Sequence, residues 1–203
     1  MLLLDSIYIN NSGGLVLLKY LVETLAAQNI DVFYLFDERT KSTFQYIDSD
    51  RKAFLPNSFL KRLNFYHENK TKFNSVFCFG NLPPPIKLDA KVTVYFHQLL
   101  FLEIPNNFSK KNKAIYLAKQ FILRSICKNA DYWVVQSSLI QNKLAKMYVK
   151  DRLERVRIIP FYPPLDFKTE NIEKVKSQFL YVSNVVPHRN HEKLIYAFCE
   201  AFD

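Results

Sequence analysis

A repeated alternation constrains this fold most: short, nearly continuous apolar runs separated by stretches with helical spacing. "LLLDSIYI" (Leu2–Ile9), "DVFYLF" (Asp31–Phe36), "SVFCFG" (Ser75–Gly80), "KVTVYFH" (Lys91–His97), "YWVV" (Tyr132–Val135) and "VRII" (Val156–Ile159) read as strands. Between them, Leu15, Leu18, Val22 and Leu25 mark one face of a helix ending near Gln28. Phe59, Leu63 and Tyr66 mark a second helix within 57–69, with Ser58 placed to cap it. Ile115, Ala118, Ile122 and Ile126 mark a third, and Ser138–Tyr148 is a fourth. Strands without polar alternation must be covered on both faces, which is the condition of a parallel sheet flanked by helices. The predicted fold is therefore α/β: a Rossmann-like, doubly wound parallel sheet over residues 1–160.

The pattern then changes. Residues 161–178 carry prolines and then mixed charges, the composition of an interdomain linker. In 179–203 a strand around Tyr181 and Val182, a polar break at Pro187–Asn190 and a helix with Leu194, Ile195 and Phe198 read as the first βα unit of a second domain. Pro83–Pro85 predict an extended surface turn.

Composition excludes several classes. A hydrophobic content of 49% with 15% aromatics is too high for disorder, and three glycines are few for an all-β chain. No run of about 18 uncharged apolar residues suggests a membrane span. "MLLLDSIYIN" has no basic leader and is interrupted by Asp5, so it reads as a strand and not as a signal peptide. Cys78, Cys127 and Cys199 are odd in number, widely spaced and set among apolar residues. They predict buried free thiols in a reducing cytoplasm. His188 and His191 stand three apart with no third ligand close in sequence, which argues against a metal site.

The excess charge is local. Phe101–Pro160 holds 12 Lys and Arg against 4 Asp and Glu, nearly the whole of the chain's net +9. Such a stretch is either an ordinary solvated face or a surface for nucleic acid, anionic lipid or a phosphorylated substrate. Nucleic acid is the weakest of these, because no binding module is recognisable and the aromatics sit in strands. Lys110, Lys111, Lys113, Lys119, Arg124 and Lys128 surround an amphipathic segment, which predicts contact with an anionic membrane or a lipid-diphosphate acceptor.

Candidate site residues cluster where strands hand over to helices. Gly13 and Gly14 follow the first strand and open the first helix, where a backbone can approach an anion closely. They serve equally well as a structural turn. His97 ends a strand on the same edge of the sheet, either as a structural residue or as a reacting one. Ser137 and Ser138 hold the equivalent place after Val135, as helix caps or as groups on the acceptor side of a cleft. Arg189 opens the last helix, where a cation beside helix amides suits a phosphate.

In order, "SGGLVLLKYLVETLA", "VTVYFHQ", "ADYWVVQSSLIQNKLAKMY", "VRIIPFYPPLD" and "FLYVSNVVPHRNHEKLIYAF" resemble the nucleotide-sugar-dependent glycosyltransferases of the GT-B fold. The likeness is strongest to the retaining branch used in bacterial polysaccharide and lipopolysaccharide assembly, and it covers nearly the whole chain. It implies two Rossmann-like domains facing a cleft, with the acceptor held by the first and the nucleotide-diphosphate sugar by the second. By this resemblance Gly13 and Gly14 lie against the donor phosphate or sugar, and His97 stands near the reacting sugar. Pro160–Asp166 matches the interdomain hinge. Arg189 falls where a diphosphate-binding lysine is common, and Asn184 stands where many members carry an arginine for the same phosphates.

The family's glutamate pair, which grips the donor, lies further on than this sequence runs. The expectation is thus a chain that stops just inside its donor domain: a glycosyltransferase weak or inactive alone, or a non-catalytic acceptor- or membrane-binding half that needs a separate donor-binding chain. Expected partners are a nucleotide sugar, a glycan or lipid-linked acceptor and an anionic membrane surface, with no metal or other cofactor. The expected location is cytoplasmic, peripheral on the inner face of the cell membrane.

Overall fold

The computed structural model of the chain describes residues 1–164, 179–183 and 190–202. Seven strands form one sheet: β1 (Leu2–Asp5), β2 (Val32–Asp37), β3 (Lys52–Leu55), β4 (Ser75–Cys78), β5 (Lys91–Tyr95), β6 (Tyr132–Val135) and β7 (Val156–Ile158). Every pairing is parallel, in the order β3-β2-β1-β4-β5-β6-β7. The helices are α1 (Ser12–Ala27), α2 (Phe59–Glu68), α3 (Lys110–Ile126), α4 (Ser138–Tyr148) and, separately, α5 (His191–Phe202). The expected α/β, Rossmann-like architecture is what forms. None of the described helices is long and apolar enough to cross a membrane.

The strands lack polar alternation because successive side chains enter two different cores. Leu3, Leu35, Val76, Val94 and Trp133 face one side, where Tyr66, Leu123 and Leu144 from α2, α3 and α4 cover them. Leu4, Tyr34, Phe36, Tyr95 and Val134 face the other, under Leu18 and Val22 of α1. Full burial of each such side chain stabilises by about 1.5–3 kcal/mol. Ser58 caps α2 as expected, its hydroxyl accepting from the Lys61 amide.

Several expectations are corrected. β1 ends at Asp5 and does not run to Ile9, because the Asp5 carboxylate binds inward and the chain turns at Tyr8 (φ 83°). β3 has no counterpart in the sequence reading; "KAFL" is a short edge strand whose Lys52 ammonium binds the carbonyls of Phe44, Gln45 and Ile47. Pro83 and Pro84 are buried, not on a surface turn, and their carbonyls accept from Arg62 and Asn129. In α3 the buried residues are Leu123 and Ile126, whereas Ile115 and Ile122 are exposed. Of the cysteines only Cys78 is buried; Cys127 is half-buried and Cys199 exposed, and all three are free thiols.

Residues 179–183 are not the expected strand. They belong to none of the seven strands of the sheet, and Leu180 is 90% exposed. A strand exists only through a neighbour's hydrogen bonds, which local composition cannot supply.

Candidate functional site

The strand order reverses between β1 and β4: the chain leaves β1 through α1 toward β2 and β3, then returns to the other side. Ligands of open α/β sheets bind outside the carboxyl ends of the strands at such a point. Here the segments following β1, β4, β5, β6 and β7 surround a cavity of about 870 Å³ lined by Gly13, Gly14, Asn81, His97, Gln136 and Phe161, among others. That volume lies in the range of small-molecule sites, roughly 300–1,000 Å³.

One wall is the start of α1. Asn11 occupies the N-cap position in an extended conformation, but its side chain makes no capping hydrogen bond, and no acidic residue stands in the first turn. The partial positive charge of the helix end is therefore not offset locally by a carboxylate. A Cβ on Gly13 would meet nothing within 4 Å, so glycine here holds space open over the helix end. Gly14 is packed differently: a Cβ would touch the Ile9 side chain at 3.4 Å.

His97, held by Asn81, is another part of the lining. The Asn81 Oδ1 accepts from the backbone amides of His97 (2.8 Å) and Gln98 (3.1 Å). This fixes the amide, so Nδ2 is the atom turned toward His97 Nε2, at 3.5 Å. Nε2 is then the acceptor and Nδ1 carries the proton. Nδ1 is shut off from solvent and has no hydrogen-bond partner among the described residues. The ring packs on Tyr95 (centroids 5.3 Å apart) and Phe79 (6.1 Å). Burial in this aromatic setting pushes its pKa down to about 4, so His97 is neutral near pH 7.

The backbone around the cavity is strained. Tyr8 (φ 83°), Ser12 (φ 54°) and Asn81 (φ 67°) all occupy the left-handed region and all line this cavity. Asparagine tolerates that region well and tyrosine poorly; such residues persist where surrounding contacts over-determine them, and they concentrate at functional sites. Gly80 is required by contact, because a Cβ there would collide with the Ile7 carbonyl oxygen.

What over-determines the loops is a buried ionic network beneath them. Arg62 of α2 donates from Nε to Asp5 Oδ2 (2.8 Å), from Nη1 to the Pro83 carbonyl (2.9 Å) and from Nη2 to the Leu82 carbonyl (2.9 Å). Tyr66 donates to the same Asp5 oxygen (2.6 Å), and the other Asp5 oxygen accepts from the Ile7 amide (3.2 Å). Burial alone would lower the Arg62 pKa, but the Asp5 carboxylate overcomes that and holds the guanidinium charged. Burial, reinforced by Asp5, pushes the Cys78 thiol up to about 12, which leaves it protonated and unreactive. The network thus ties the turn after β1 to the turn after β4.

A second cavity of about 440 Å³ adjoins the first across Tyr8, Asn81 and Gln98. It adds Arg39 and Lys119 with the apolar Phe59 and Ile122. Arg39 is engaged at Nε and Nη2 by the buried Asp37 carboxylate, both at 2.7 Å. No ion pair among the described residues involves Lys119, whose ammonium lies over the Tyr116 ring.

The structure thus brings Gly13, Gly14 and His97 together on one cavity. It does not bring Ser137 and Ser138 there: both are exposed, Ser137 caps α4 through the Ile140 amide, and Gln136 takes the lining position. Asn184 and Arg189 lie outside the described residues. Sequence reasoning missed Asn81, Gln136, Tyr8 and the Asp5–Arg62 network. Only Asn81 had a local signal, an Asn after Gly at a strand end, which favours positive φ. Comparison of the sequence with models of known protein families and with curated proteins finds no match.

Proposed function

We propose that this chain is the acceptor-side part of a nucleotide-sugar-dependent glycosyltransferase of the GT-B type. One observation carries the reading: the glycine-opened, uncapped end of α1 and the neutral His97 line a single cavity at the β1/β4 switch point. Transfer breaks the bond between the anomeric carbon and a diphosphate and forms one to an acceptor oxygen. The amides at the start of α1 suit the departing negative charge. His97, being neutral, does not neutralise phosphate; its role is to shape the cavity wall beside the reacting sugar, its ring held by the Asn81 amide and by the Tyr95 and Phe79 rings. In enzymes this chain resembles, the donor is gripped mainly by a second Rossmann-like domain, and Arg189 would contribute from there. Cations and helix amides of this kind stabilise a leaving diphosphate without a resident metal or cofactor.

The test is a transfer assay with a panel of uridine- and guanosine-diphosphate sugars against glycan and lipid-linked acceptors, alone and with a donor-binding domain supplied. Calorimetric titration of the same donors runs beside it. Gly13→Ala gives an internal control with opposed signs. Alanine should stabilise the helix by roughly 0.5–1 kcal/mol, raising Tm, while its methyl group intrudes on the cavity and weakens donor binding. A raised Tm with unaltered donor binding would remove Gly13 from the site. No donor bound and no sugar transferred under any arm would overturn the reading itself.

A further inference from the structure

α3 presents solvent with a face that soluble helices do not usually expose. Ala114, Leu117, Ala118 and Phe121 recur at helical spacing along its outward side, with Leu117 57% and Phe121 75% exposed. Ile115 and Ile122 are exposed on one shoulder of that row. The helix contains no acidic residue, and Lys110, Lys111, Lys113, Lys119 and Arg124 lie within it, with Lys128 just beyond. No ion pair among the described residues involves any of these six cations.

We infer that α3 docks the protein on an anionic lipid bilayer, lying in the headgroup plane with Leu117 and Phe121 inserted. The charge and the apolar row select this occupant together. Cations without carboxylate partners attract an anionic surface, and an apolar row between them gains only where acyl chains lie directly beneath the charges. Nucleic acid would use the lysines and leave Leu117 wet, and a second copy of the chain would bring two rows of like charge together. The docking also fits the fold's layout. Lys119 and Ile122 belong both to α3 and to the lining of the second cavity, so a molecule held in the membrane surface would meet that cavity at the contact line. The inference does not depend on the glycosyltransferase reading, since it concerns only where the protein resides.

The experiment is co-sedimentation of the full chain with phosphatidylcholine vesicles and with vesicles of phosphatidylcholine and phosphatidylglycerol in equal parts, at low and high salt. Binding to the anionic vesicles alone, weakened by salt, is expected. Each alanine at Lys110, Lys111 or Lys113 should weaken it about fivefold. Phe121→Asp should weaken it at least about tenfold while leaving Tm unchanged, because the side chain is solvated. Ile195→Asp, on the exposed apolar side of α5, should have no effect. Equal binding to neutral vesicles would overturn the proposal, as would absence of binding or loss of binding in Ile195→Asp alone. So would a dimer that Phe121→Asp dissolves, or an oligonucleotide that binds the wild type and Phe121→Asp equally and displaces it from vesicles.

Discussion

Arg62→Ala is expected to lower the free energy of unfolding by about 3–5 kcal/mol, because it leaves a buried carboxylate uncompensated. Arg62 is 1% exposed, and Asp5, its partner, is equally enclosed. Alanine removes the charge facing Asp5 and strips the Leu82 and Pro83 carbonyls of their donors. Tyr66 still donates to Asp5, but one neutral hydroxyl does not balance a buried negative charge. Domains of this size hold roughly 5–15 kcal/mol in total, so the variant should unfold at much lower urea. Removing both charges, as Asp5→Asn with Arg62→Met, should cost less than Arg62→Ala alone, a coupling that a double-mutant cycle reads directly. A loss below about 1 kcal/mol for Arg62→Ala would show that the network is decorative.

On the proposed function, His97→Ala is expected to reduce sugar transfer about 10²-fold, the scale of misplacing a reacting group by about 1 Å. Stability should respond quite differently, and in a direction set by pH. The folded-state pKa of about 4 lies below the ordinary value of 6.5. Between those values the unfolded chain binds a proton that the folded protein refuses, so stability is full above pH 6.5 and declines as pH falls toward 4. Allowing for water in the cavity, the loss is on the order of 2 kcal/mol. Near pH 8 the alanine variant should melt close to wild type, since it gives up ring packing but also an orphaned Nδ1–H. Near pH 5 it should be relatively more stable than at pH 8. Denaturation at both pH values, with an NMR titration of the ring, checks this. A ring titrating near 6.5 would remove the physical basis for a neutral, desolvated His97, and unaltered transfer in His97→Ala would remove it from the chemistry.

The two faces of the sheet explain how much of this was legible. Apolar runs such as "DVFYLF" require cover on both sides wherever they occur, and helices with one apolar face supply it; both are properties of local sequence. The parallel sheet, the placement of Gly13, Gly14 and His97 at its carboxyl edge, and the Ser58 cap followed from that. β3 did not, because "KAFL" is too short and too mixed to signal a strand; Lys52 and an existing β2 edge make it one.

The site's finer chemistry was decided by contacts between residues far apart in the chain. Asp5 meets Arg62 across 57 positions, and Asn81 meets His97 across 16. No local pattern distinguishes Arg62 in α2 from a solvated surface cation, yet its burial anchors the loop that carries Asn81. The same holds for α3: its cations were plain in the sequence, but only packing against the sheet selected Leu123 and Ile126 as the inner face and left Leu117 and Phe121 outside. Sequence alone determined which residues must be covered and where the sheet's carboxyl edge lies. Tertiary structure alone decided which charges are buried, which nitrogen of His97 carries its proton and which helix face meets solvent, because desolvation and pairing depend on distance in space.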